Sequence, residues 1–259
     1  MIPLCDSIPA SRPPVVRNAL VAICATAFAL QLLGGDGGMV ERFGMVPARV
    51  FDPDAVIAIR DPRLPGGVLR IGRAGVPSWM TLLTCIFLHG GWLHFLGNML
   101  FLWIFGDNVE DRFGRVMFLV FYLGCGVAAS AAHLLAHPDS PVPTIGASGA
   151  IAGVMGAYLL LYPKAKVQML IIFGFFVEVI VLPAPFFLGY WFLLQLLQGT
   201  IDRGAGAGVA WWAHIGGFAV GAGVAAVLRL AERLRPEPAT VALRRRRYGK
   251  PPWQRRSTR

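Results

Sequence analysis

The feature that most limits this chain is the grouping of its apolar residues. Six stretches run almost free of charge: residues 18–33, 92–105, 116–136, 148–162, 185–197 and 211–230, the second with an apolar lead-in from residue 79. A helix made from such a stretch satisfies its backbone internally and turns apolar side chains outward, which suits hydrocarbon better than water. The composition agrees. Of 259 residues, 56% are hydrophobic and 15% charged, and the mean hydropathy is +0.60, whereas a soluble domain carries about 25% charged residues. The expected fold class is an all-α polytopic membrane protein with six transmembrane helices. Several stretches are shorter than the roughly 20 residues that a full crossing prefers, which points to a cavity or a locally thinned bilayer.

Charge sets the expected orientation and division of the chain. The net charge of +10 is concentrated at the end, where residues 229–259 hold eleven Lys or Arg against Glu232 and Glu237. Basic residues also flank the first stretch (Arg12, Arg17), sit in a short charged loop at 107–115 (DNVEDRFGR) and follow the fourth stretch as PKAK (163–166). With six crossings these fall on one side, and the positive-inside rule makes both termini cytoplasmic. The loop at 34–78 breaks the rule with six arginines outside, among them Arg42, Arg49 and Arg73, partly offset by its acids. The expected organisation is a short cytoplasmic N-terminus (1–17), a six-helix membrane domain (18–230) and a basic cytoplasmic tail (231–259). The first stretch lacks a small-residue cleavage site after it and reads as a retained helix. Residues 167–182 are apolar enough for a seventh crossing. Glu178 and the many β-branched residues there instead suggest an interfacial or strand-like lead-in to the fifth helix. The run Arg244–Arg247 reads as an anchor near anionic lipid, and no nucleic-acid partner is expected.

Polar side chains inside apolar stretches are costly and mark candidate sites. His94 and Asn98 lie four residues apart, on one face of a helix. Ser148 opens the fourth stretch between glycines, and His214 lies near the start of the sixth. With six crossings, stretches two, four and six run the same way, so all four residues sit at one shallow depth below the outer surface. A seventh crossing would send His214 to the other face. A serine hydroxyl is a weak nucleophile until a base takes its proton, and His214 is the candidate base. Gly149, Gly153 and Gly156 on one stretch and Gly216, Gly217 and Gly221 on the other allow the close helix approach that this pair needs. His94, Asn98 and the Ser148 backbone N–H suit an oxyanion hole. No carboxylate lies beside His214, so a Ser–His dyad is expected, with no metal and no cofactor. The four cysteines (Cys5, Cys24, Cys85, Cys125) are widely spaced and suggest neither disulfides nor a zinc site. His133 and His137, followed by Asp139, are metal-like in spacing but lack a further ligand and read as a wet loop.

GASGA (146–150), HFLGN (94–98), GDNVEDRFG (106–114) and AHIGGFAVG (213–221) together resemble the rhomboid family of intramembrane serine proteases, in its basic six-span bacterial form. The resemblance covers about residues 79–228. It implies that Ser148 is the nucleophile and His214 the base, with His94, Asn98 and the Ser148 amide as oxyanion donors. It implies supporting roles for His89, for Gly146, Gly149, Gly217 and Gly221, and for Glu110 and Arg112 of the Glu-x-Arg motif. It implies transmembrane proteins as substrates, within the lipid bilayer of a cell membrane such as a bacterial inner membrane. The site would open toward the outer side. Where some family members carry an aromatic residue one turn after the serine, this chain has Ala152, which leaves the lateral support of His214 unassigned. The oligomeric state is not indicated.

Other readings account for less of the sequence. Ser148 alone could be a packing residue in a Gly-rich interface. A non-catalytic relative that binds membrane clients would be expected to lack the serine or the histidine. A small-solute transporter would show repeats or paired broken helices, and neither is evident. There is no HExxH, no pair of intramembrane carboxylates, and no strand before the G-x-S-x-G. A glycine-rich segment at 204–208 suggests the flank of a mobile cap over the site.

Overall fold

The computed structural model describes residues 2–34, 38–54, 57–60, 68–173, 176–201 and 210–236. The expected cap at 204–208 and the Arg244–Arg247 run lie outside the described residues, as do parts of the 34–78 loop. In chain order the elements are β1 (Ile2–Asp6), α1 (Val15–Gly34), α2 (Gly38–Phe43), α3 (Pro47–Phe51), β2 (Ile57–Arg60), β3 (Val68–Ile71), α4 (Thr81–Thr84) between short 3-10 turns, α5 (Trp92–Phe113), α6 (Arg115–Ala136), α7 (Ser148–Leu161), β4 (Lys166–Phe173), β5 (Phe176–Pro183), α8 (Ala184–Ile201) and α9 (Trp211–Leu230). The chain is mostly helical, as expected, but not all-α.

Among the described residues three helices, α1, α6 and α9, are long and apolar enough to cross a membrane. The segment Ser78–Phe87 and α5, bent by 79° at Gly90–Gly91, make a fourth candidate if taken as one span. At Gly91, where φ is +147°, the chain takes a conformation that side-chain-bearing residues rarely adopt. The 14-residue α7 is apolar on every face, and such a helix belongs in a core. Every residue from Gly149 to Tyr158 is indeed buried.

Small residues set how α7 is held. A methyl group at Gly217 or Gly221 on α9 would overlap the carbonyl of Gly149 or Gly153, and one at Gly156 would overlap that of Phe218. The two backbones therefore touch directly, as small-residue faces permit in an apolar medium. On its other side α7 meets α6, where a Cβ at Gly149 would meet Ala129 and one at Gly153 would meet Cys125.

The segment at 107–115 is not a loop. α5 continues through its charged residues to Phe113, and Gly114 (φ +80°) makes the turn into α6. Its acids serve other elements. Glu110 accepts hydrogen bonds from the backbone N–H groups of Val16 (3.0 Å) and Arg17 (2.8 Å), capping the N-terminus of α1 where orphan donors and the helix dipole favour an anion. Asp111 accepts from the backbone N–H (2.8 Å) and hydroxyl (2.6 Å) of Ser11. Arg17 donates to the Trp103 carbonyl at 2.7 Å and lies 3.8 Å above the Trp103 ring.

The stretch at 167–182 forms a hairpin rather than a further helix. β4 and β5 pair antiparallel, and β1 adds to β4 in a three-stranded sheet of order β1-β4-β5. Val167 and Met169, two apart, are both fully buried, the period expected of a strand with one face on a core. Lys166 pairs with Pro183, and the Ala184 N–H donates to the Ala165 carbonyl at 2.8 Å. The hairpin thus returns the chain to the point where it left, and α8 starts beside the end of α7. The N-terminal residues are part of this sheet: Asp6 accepts hydrogen bonds from Tyr158 of α7 and from Asn108 of α5. Burial raises the Asp6 carboxyl to about 7.

At the other end, the described part of the 34–78 loop pins the approach to Ser148. Met45 and Thr144 exchange backbone hydrogen bonds at 2.7 and 3.1 Å, and the Gly146 N–H donates to the Cys85 carbonyl at 2.9 Å. Arg49, fully buried, ties the loop together through the carbonyls of Glu41, Gly44 and Gly72.

Candidate active site

Ser148 is the first residue of α7, and His214 is the fourth of α9. The glycine contacts between these helices bring the Ser148 Oγ to 2.8 Å from His214 Nε2. The other ring nitrogen is also engaged: His214 Nδ1 lies 2.7 Å from Oε1 of Gln195 on α8. The Gln195 amide nitrogen contacts the Trp191 carbonyl, which leaves Oε1 as the group facing the imidazole. An amide oxygen only accepts, so Nδ1 carries the proton and Nε2 is left as the acceptor for the serine hydroxyl. Trp191, one turn before Gln195, sets its ring 5.7 Å from the imidazole, and Trp211 lies at 6.3 Å, edge-on.

These contacts supply the support of His214 that the sequence left unassigned at Ala152. Lateral support for His214 comes from α8 rather than from α7. Gln195 and Trp191 were not singled out from the sequence, although one signal was present. Gln195 is an amide inside an apolar stretch, the same anomaly that marked His94 and Asn98.

His94 and Asn98 lie in the first two turns of α5. His94 Nδ1 accepts the Gly90 N–H at 3.2 Å, so the neutral ring carries its proton on Nε2. That edge is turned to the turn before Ser148: a methyl at Gly146 would meet His94 Nε2 and Cε1 at 2.7 Å and the Ser148 Oγ at 3.6 Å. Gly146 has φ +125°, so both backbone and space require glycine there. Asn98 is buried, and its amide nitrogen has no hydrogen-bond partner among the described residues. A buried N–H donor without a partner is uncommon and calls for a use. Ser148, His214 and His94 are half-buried, in contrast to the fully buried residues of α7 behind them.

His89 is fully buried behind His94, its ring 5.4 Å from that of His94 and edge-on to Phe28 and Phe95. Its ring nitrogens have no partner among the described residues. Gln31 of α1 clamps its backbone, accepting from the N–H and donating to the carbonyl, both at 3.0 Å. Gly149, Gly217 and Gly221 lie in the helix contact, away from any polar contact with the pair. Glu110 and Arg112 are at the far end of α5. Glu110 caps α1, and the Arg112 carbonyl accepts the Arg235 N–H at 2.9 Å. The rings of His133 and His137 lie 5.3 Å apart, tilted to each other, at the end of α6.

The comparisons agree with the motifs. The chain is 36% identical over 153 residues to "Rhomboid protease GluP" of Bacillus subtilis, covering 59% of this chain and 27% of that protein. It is 36% identical over 84 residues to "Putative rhomboid protease YdcA" of the same organism, covering 32% of this chain and 42% of that one. Similarity to "Rhomboid protein 1, mitochondrial" of Saccharomyces cerevisiae is 31% over 155 residues, covering 56% of this chain and 41% of that protein. The chain therefore matches well under half the length of each of these relatives. The family model described as the Rhomboid domain matches residues 76–231, which contain every polar residue of the site, and the protein is a multi-pass membrane protein that belongs to the rhomboid family.

Proposed function

We propose that the protein is an intramembrane serine endopeptidase that cleaves transmembrane segments of other membrane proteins with a Ser148–His214 dyad. The observation that carries this is the 2.8 Å contact between Ser148 Oγ and His214 Nε2, with the imidazole oriented from behind by Gln195. In the proposed reaction His214 takes the serine proton as Oγ attacks the scissile carbonyl. It then passes that proton to the leaving amine, and water hydrolyses the acyl-enzyme by the same steps. The oxyanion is received by the Ser148 N–H, His94 Nε2–H and the Asn98 amide. The unpartnered Asn98 nitrogen and the His94 tautomer support that role. Donors held ready for charge that develops only in the transition state are the efficient form of this catalysis.

The six-span topology, with both termini cytoplasmic and the site open to the outer side, belongs to the same proposal. It is supported by the meeting of the starts of α5, α7 and α9 and by the hairpin that hands α7 to α8 at one end of the bundle. A cell membrane of bacterial inner-membrane type fits the charge asymmetry. The rival readings, a non-catalytic client-binding relative and a solute transporter, gain no specific observation.

The test is cleavage of a reconstituted transmembrane substrate. Wild-type protein is expected to yield two fragments, and Ser148→Ala none. Equal product from Ser148→Ala would remove the mechanism.

A further inference from the structure

A groove of about 740 Å³ opens at the end of α5 remote from His94, roughly 30 Å along the helix. Its apolar wall is Phe113 with Val116, Met117 and Val120 of α6. Val116 and Val120 are strongly exposed on a helix apolar enough to cross a membrane, so this wall continues into the hydrocarbon layer. Arg12, Arg115 and Arg235 line the same groove. Arg115 is the first residue of α6, which places it at the membrane interface, and the first turn of α6 has no acidic residue and no side-chain cap.

The groove also holds three acids, each turned to a partner outside the three arginines. Asp107 faces Arg17 at 3.9 Å, Glu110 caps α1, and Asp111 holds Ser11. Arg12, Arg115 and Arg235 form no ion pair among the described residues. The Arg235 guanidinium lies against Gly114, where a methyl would meet its Nη2 at 2.6 Å. The result is three arginines without a carboxylate partner of their own among the described residues, at the mouth of an apolar groove of ligand size, at an interface.

We propose that this groove binds one anionic phospholipid. The phosphate would sit among Arg12, Arg115 and Arg235, and the first part of an acyl chain would lie along Val116, Met117 and Val120. The three unpaired guanidinium groups select the headgroup, since arginine pairs with phosphate oxygens through its planar donor fork. The apolar wall requires an amphiphile rather than a free phosphate.

The test uses the full chain, purified in a nonionic detergent and titrated with dioleoyl phosphatidylglycerol or dioleoyl phosphatidylcholine, with retained lipid counted by native mass spectrometry. One phosphatidylglycerol is expected to be retained, at least tenfold more tightly than phosphatidylcholine, and inorganic phosphate should not displace it. A cation near the membrane surface contributes about fivefold in affinity, so the Arg115→Gln/Arg235→Gln variant should bind about thirtyfold more weakly. Replacing Arg244–Arg247 by Gln controls for the basic tail and should leave the retained lipid in place. Arg12→Gln and Arg115→Gln, both exposed positions, report the same loss singly at about fivefold each if the double variant does not fold. Equal retention of the two lipids, displacement by phosphate, or loss in the tail variant with retention in the groove variant would each overturn the proposal.

Discussion

The two ends of α5 handle buried polarity in opposite ways. At the Phe113 end, Glu110, Asp111 and Asp6 are each matched to backbone N–H groups, hydroxyls or amides of other elements, and the result is structure: α1 is capped and β1 is tied to α5 and α7. At the Trp92 end, Asn98 has a donor with no partner, and His94 turns its protonated edge to the turn before Ser148. Satisfied polar groups hold a fold together, whereas unsatisfied ones carry a standing cost that a bound reaction intermediate can relieve. On this account, mutations at the first end lower stability, and mutations at the second lower rate.

The largest separation is expected from Asn98→Ala. It should reduce kcat on the order of 10²–10³ fold, as loss of one oxyanion donor does, with a melting temperature equal to wild type. A stability loss without a rate loss would place Asn98 with the structural set. Glu110→Ala should do the reverse. It leaves two backbone donors at the start of α1 without their carboxylate, a loss of about 2–3 kcal/mol, read by thermal unfolding in detergent. The fraction that remains folded should cleave at the wild-type rate.

Gln195→Leu tests whether α8 belongs to the functional end. Losing the acceptor that fixes the His214 tautomer should lower kcat about tenfold, with KM unchanged. Gln195→Glu, which restores an acceptor, should recover part of it, and a purely structural Gln195 would show neither effect. The smallest effect is expected at Asp6. Its carboxyl is raised by burial to about 7 from an ordinary value near 3.8. The neutral form is therefore favoured by folding, and its contribution is full below the unfolded value and lost as pH rises through 7. The melting temperature should fall from pH 5 to pH 8, and Asp6→Asn, which cannot ionise, should flatten that slope. An unchanged slope in Asp6→Asn would assign the pH dependence to other groups.

The same contrast separates what was legible in the sequence from what was not. α1, α6, α7 and α9 were readable to within a few residues because each is an apolar run closed by charge, proline or glycine. The convergence of His94, Ser148 and His214 followed from three costly side chains sharing the starts of alternate helices. The end of α5 was misread as a loop because local charge density resembles a loop, and only tertiary partners show that Glu110 and Asp111 cap and tether other segments. β1 was missed for a related reason. Five residues of IPLCD carry no signal of their own, and the strand exists because β4 offers it an edge. Residues 167–182 were read as an interfacial or strand-like segment from their β-branched content, but the hairpin register and its return to α8 were not readable. Gln195 was visible as an amide in an apolar stretch, but its use depends on which face of α8 meets α9, and that face is set by packing.

The central claim is that His214 activates Ser148, and reaction with a fluorophosphonate probe measures it most directly. Wild-type protein in detergent should be labelled at Ser148 alone, and both Ser148→Ala and His214→Ala should abolish labelling while keeping the wild-type melting temperature. Labelling of His214→Ala at the wild-type rate would show that the 2.8 Å contact is packing and not activation, and would contradict the account.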